Sequence, residues 1–187
     1  MASERELRAR AYRAKAEAEL SGLAARGVVA GGNAFSSVLL AKGELTDEEA
    51  GGAAAFSGAD GAALKASLAR LGYAPEDWAT LLTCEDDLRT PLAPEVLREA
   101  VCTLDPVTVV LCDEPAADAF REAYADELSA IGDFQQAMLV PGHVADVLGM
   151  RVMALGGFAA ALASGDKGRK QAMWHWLKQL PPLAEPF

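Results

Sequence analysis

Apolar residues in this chain follow two rhythms. Short, nearly continuous runs bounded by glycine, proline or acids alternate with longer stretches of helical spacing. The first rhythm predicts buried strands, the second amphipathic helices. Leu7, Ala11, Ala14 and Ala18 share one face of a helix running to about Ala25, with Ser3 as cap and Glu6 completing a capping box. Gly31-Gly32-Asn33 breaks the chain, and Phe35 to Ala41 predicts a buried strand. Asp60 to Leu71 predicts a helix with Leu64, Leu68 and Leu71 on one side and Gly72 as its stop. Trp78 to Thr83 predicts a strand, and Pro94 to Leu104 a helix opened by proline. Val107 to Cys112 is almost entirely β-branched or leucine, the strongest strand pattern in the chain. Pro115 to Leu128 predicts a helix, Gln136 to Val140 a short strand, Arg151 to Leu155 a strand, and Lys167 to Leu180 a closing helix.

Alternating strands and helices predict one α/β domain over residues 1–187. The expected architecture is a three-layer α/β/α sandwich on a central, mainly parallel sheet of about four strands. Residues 1–30 hold the N-terminal helix and residues 181–187 a proline-rich tail. No repeat or linker interrupts the pattern.

Charge narrows the partners. The net charge is −10, concentrated in the middle of the sequence. Residues 44–134 carry five bases and twenty acids, whereas residues 1–43 and 135–187 are mildly basic. An acidic body repels phosphate backbones, so DNA binding is disfavoured unless the two ends supply the contacts. Arg5, Arg8, Arg10, Arg13 and Lys15 are interleaved with glutamates and read as a solvated face. No stretch matches a signal peptide or a membrane span. Three cysteines without a close pair fit a reducing, cytoplasmic setting.

The chemistry concentrates after the first strand. Gly43-Glu44 ends it, a glycine- and acid-rich loop follows, and Ala55-Phe56-Ser57-Gly58 opens a helix. In α/β proteins ligands bind outside the carboxyl ends of strands. Further along come Pro75-Glu76-Asp77-Trp78 at a strand entry, the Leu104-Asp105-Pro106 turn, and a final Lys167-Gly168-Arg169-Lys170-Gln171-Ala172-Met173-Trp174 helix. In this order and spacing, residues 35–180 resemble the uracil-DNA glycosylase superfamily, closest to its iron–sulfur branch. The resemblance implies a pocket that receives a flipped base. It places Glu44 at the family's loop glutamate and Phe56 at its base-stacking phenylalanine. The family's base-reading asparagine falls at Thr80, which cannot bond a base edge in two places. The family's His-Pro segment falls at Gly156-Gly157-Phe158, where only backbone amides remain to meet an anion. The Pro-Gly after the family's glutamate is replaced by Leu45-Thr46-Asp47.

The resemblance therefore implies Glu44 as the candidate catalytic acid and Gly43, Phe56, Thr80, Gly156 and Gly157 as candidate ligand-binding residues. No metal site is expected. Four thiolates hold an iron–sulfur cluster, and no cysteine precedes Cys84 to complete a set with Cys102, so no cofactor is expected. Cys112 reads as a small core residue. Asp47, Glu48 and Glu49 could bind a cation but read as a solvated acidic loop. His143 is a candidate stray base. Three functions stay open: a divergent superfamily member that has lost ordinary uracil excision and binds a nucleobase-like small molecule, an active glycosylase of altered specificity, or an unrelated α/β nucleotide-binding module.

Overall fold

Six strands among the described residues form one sheet: β1 (Ala30–Gly32), β2 (Val38–Lys42), β3 (Trp78–Leu82), β4 (Thr108–Leu111), β5 (Val144–Val147) and β6 (Met150–Ala154). Their spatial order is β1-β3-β2-β4-β6-β5. The inner four run parallel, and β1 and β5 are antiparallel edges on β3 and β6. The computed structural model describes residues 14, 17–73, 78–87 and 89–180. The sheet is thus larger than the four strands expected, and mixed. Its parallel centre is the part predicted from the apolar runs.

Helices pack on both faces. Residues 17–24 are helical (α1). They are followed by α2 (Asp47–Ala50), α3 (Ala59–Arg70), α4 (Pro94–Leu104), α5 (Glu114–Ala123), α6 (Ala125–Ser129), α7 (Phe134–Ala137), α8 (Phe158–Ala163) and α9 (Lys167–Leu177). Alternation along each strand divides the core. Leu39, Ala41, Leu81, Val109 and Leu111 meet Leu23 of α1, Leu97 and Val101 of α4, and Phe120 of α5. The Phe120 and Tyr124 rings stack there with centroids 4.2 Å apart. On the other face Val38, Leu40, Trp78, Val110 and Met153 meet Leu64 and Leu68 of α3, Phe158 of α8 and Met173 of α9. Cys112 belongs to this second core, as a small hydrophobe would.

Several boundaries differ from the sequence reading. Gly31 and Gly32 lie inside β1, where they pair with Thr80 and Ala79, rather than breaking the chain. Gln136 to Val140, expected as a strand, is the end of α7 and a turn, because the Asp133 carboxylate caps that helix by accepting from Gln135 and Gln136. The helix expected from Pro115 to Leu128 divides at Tyr124, whose φ of −120° is not helical. The hairpin strand β5 and the short helices α2 and α8 fall where the sequence reading has loops. The Ser3 cap, the N-terminal arginines and the Pro75-Glu76-Asp77 entry lie outside the described residues.

This topology sets where ligands meet the sheet. From β2 the chain passes through α3 to β3 on one side, then crosses through α4 to β4 on the other. The carboxyl ends of β2 and β4 flank that switch point, the usual crevice for a ligand in an open α/β sheet.

Candidate functional site

On the α3 side the switch-point crevice is filled by the protein itself. Lys42 ends β2 and points under α3 with its side chain only 2 % exposed. Lysine is almost never buried without a partner, and here there are two. Its Nζ donates to Glu49 Oε2 at 2.8 Å and to Asp60 Oδ2 at 2.7 Å. Both carboxylates are buried. Glu49 is fixed further by α2. Its Oε2 accepts from Thr46 N as half of a capping box, and its Oε1 accepts from Phe56 N at 2.6 Å. Burial works against the charged form of Lys42, but the hydrogen bonds and charges of Asp60 and Glu49 outweigh it and hold its pKa above the ordinary value. Burial also opposes ionisation of Glu49, yet Lys42 and the amides of Thr46 and Phe56 hold its carboxyl below the usual range. Three like charges in a row are therefore not a solvated loop. Asp47 and Glu48 face solvent, and Glu49 turns inward.

The cluster also shapes Phe56. That residue has φ 59°, in the left-handed region where a bulky side chain is strained. The bond from its amide to Glu49 holds it there, and the Lys42 ammonium sits 4.9 Å from the ring centroid. Gly61 is required at the start of α3, because a Cβ would lie 1.8 Å from the Phe56 carbonyl oxygen.

Beside β4 a third carboxylate closes the crevice. Asp113 caps α5 through Ala116 N and accepts from Gly43 N and Glu44 N at 2.8–3.0 Å. A Cβ at Gly43 would meet Pro115 and Thr83 at 2.7 Å, so only glycine fits.

The candidate residues separate. Phe56 and Thr80 meet in a cavity of about 240 Å³ between β1, β3 and the loop before α3. Gly31, Gly32, Ala54, Ala55, Lys65 and Trp78 complete much of its wall, and among the described residues no carboxylate lines it. Thr80 lies in the middle of β3, paired with Leu40, rather than at a strand end. Gly43 lines a different hollow of about 370 Å³ with Thr83, Cys84 and Pro115. Glu44 is exposed, and its backbone, not its carboxylate, is engaged. Gly156 accepts from the Arg169 guanidinium at 3.0 Å. The Gly157 and Phe158 amides both donate to the Cys112 carbonyl, so they form no open nest for an anion. The glycine pair at the end of β6 closes the backbone instead.

No family model matches the chain, and a search of curated proteins found no match. Cys84 and Cys102 line different hollows, and burial pushes the Cys84 thiol up. Among the described residues no group of three or more His, Cys, Asp or Glu side chains is arranged to hold a metal ion. His143 is half-buried in the turn before β5. No described helix is long and apolar enough to cross a membrane.

No sequence motif gives Lys42, Asp60, Asp113, Lys65 or Trp78 a role at the site. One signal was available. A lysine closing an otherwise apolar strand must find a buried counter-ion, and two acids lie within reach along the chain.

Proposed function

We propose that this chain is a divergent relative of the uracil-DNA glycosylases that binds a nucleobase-like small molecule without excising a base. One observation carries the reading. Phe56 and Thr80, the residues that the resemblance assigns to base stacking and base-edge reading, line the same cavity although they are 24 positions apart. Phe56 and Trp78 supply aromatic walls, which suit a planar heterocycle. The Thr80 hydroxyl supplies a donor and an acceptor, and Lys65 supplies a cation at the mouth for an acidic edge of the ligand. Binding without excision is favoured because Glu44 is exposed, outside the walls around Phe56 and Thr80. The negative charge of residues 44–134 weighs against a nucleic-acid backbone as partner.

The test has two arms. Bases, nucleosides and nucleotides are screened by thermal shift, and single-stranded DNA containing uracil or hypoxanthine is incubated with the protein and cleaved at abasic sites. Stabilisation by a free base, with no strand cleavage, supports the proposal. Strand cleavage lost on Glu44→Ala overturns it in favour of an active glycosylase. Stabilisation that requires a phosphate overturns it in favour of a nucleotide-binding module.

A further inference from the structure

We propose that Lys42 and Asp60 condense in the folded protein to an intramolecular amide, with Glu49 relaying the protons, so that a covalent bond ties the end of β2 to the first turn of α3. This inference is independent of the ligand reading. It rests on the geometry of the cluster. Lys42 Nζ is 2.7 Å from Asp60 Oδ2, and a carbon–oxygen bond is short enough that Nζ is also within about 4 Å of the carboxyl carbon. The three side chains are 1–6 % exposed, and the Phe56 ring covers the amine. Glu49 holds the same Nζ at 2.8 Å, where it can accept a proton from nitrogen and pass it on. The second oxygen, Asp60 Oδ1, is buried and has no hydrogen-bond partner among the described residues. As a plain ion cluster the site leaves one buried acceptor, Asp60 Oδ1, unsatisfied, which is costly.

The chemistry closes without a co-reactant. A proton moves from the Lys42 ammonium to Asp60 along their existing hydrogen bond, which gives a neutral amine and a neutral acid. The nitrogen lone pair adds to the Asp60 carboxyl carbon. Glu49 takes a second proton from nitrogen and delivers it to the departing oxygen. The carbon–nitrogen bond forms, one carbon–oxygen bond breaks, and water leaves. Of the three ammonium protons, one stays on the amide and two depart with the water. The fold supplies the rate by holding the reactants together, which is worth a very high effective concentration. It supplies the driving force because the amide replaces a buried ion pair and releases a water, while the Glu49 carboxylate keeps the amides of Thr46 and Phe56 as donors.

The decisive measurement is the mass of the intact, denatured 187-residue protein, followed by a tryptic map. The proposal expects a mass lower than the sequence mass by one water, no cleavage after Lys42, and one tryptic peptide of residues 27–65 that is a water light and looped, which cleavage after glutamate opens into a branched peptide joining the segments around residues 42 and 60. The folded Glu49→Gln and Lys42→Arg variants are expected at full sequence mass. A full-mass native protein that is folded and cut after Lys42 overturns the proposal. So does a water loss that leaves Lys42 cleavable, because the Asp60-Gly61 pair can instead close to a succinimide. Linking as complete in Glu49→Gln as in the native protein removes Glu49 from the mechanism.

Discussion

The two faces of the sheet are built on different principles. The face under α4 and α5 has an apolar core: Leu39, Leu81, Val109 and Leu97 pack with the stacked rings of Phe120 and Tyr124, and the buried Asp113 carboxylate above it binds only backbone amides. The face under α3, α8 and α9 has an equally apolar floor, but its upper end holds Lys42, Glu49 and Asp60. The first core obtains its shape from volume alone. The second uses charge to hold a loop in a conformation that packing would not select, with Phe56 at positive φ against a ligand-sized cavity. Strain of this kind, about 1–3 kcal/mol for a residue, persists only where the surroundings over-determine it.

Perturbing each face should separate the two. Lys42→Met is expected to cost about 3–5 kcal/mol in urea unfolding, because it leaves Glu49 and Asp60 buried without their partner. Replacing all three by apolar residues of similar volume should recover most of that loss, while the Phe56 loop loses its anchor. If Lys42→Met alone is neutral, charge does not organise this face. On the apolar face, Leu97→Ala should cost about 2–5 kcal/mol, and by the same amount in mild acid as at neutrality. Asp113→Asn, which weakens the acceptor for Gly43, Glu44 and Ala116, should cost about 1–3 kcal/mol; its effect reads how firmly the switch-point crevice is closed. Solvent-exposed pairs such as Arg26 with Glu99 should contribute under about 1 kcal/mol.

Acid should distinguish the faces as well. The carboxyl of Glu49 titrates below its ordinary value of 4.5 in the folded chain, as Lys42 and two backbone amides outweigh its burial. Its contribution is therefore fully present above that ordinary value and is lost as pH falls through the lower, folded value. Acid unfolding of the Lys42→Arg chain, which keeps a cation beside Glu49 and cannot link, should fall more steeply there than that of Lys42→Arg/Glu49→Gln. Parallel curves would mean that Glu49 does not couple folding to protons.

The sequence disclosed what obeys periodicity. The parallel strands β2, β3, β4 and β6 and the helices α3, α4 and α9 follow from apolar runs, Pro94 and Gly72. What it concealed depends on long-range partners. β1 is an Ala-Gly-Gly segment with no strand propensity of its own; it exists because β3 offers an edge for pairing. α2 is a four-residue helix made by one capping box and by Glu49 reaching Lys42. Motif order singled out Phe56 and Thr80, which line one cavity. The state of Glu44 and the glycine pair was not legible, because whether a carboxylate is exposed or an amide is already bonded is decided by contacts such as Asp113 and the Cys112 carbonyl.

The central claim is that the Phe56–Thr80 cavity receives a nucleobase-like ligand, and calorimetric titration with uracil tests it most directly. The account predicts saturable binding with one site per chain, weakened about tenfold by the near-isosteric Thr80→Val, which removes one hydrogen bond. Binding should be abolished by Ala54→Trp, which fills the mouth from an exposed position without touching the core. Binding that survives Ala54→Trp undiminished, or no heat from uracil or any other base, contradicts it.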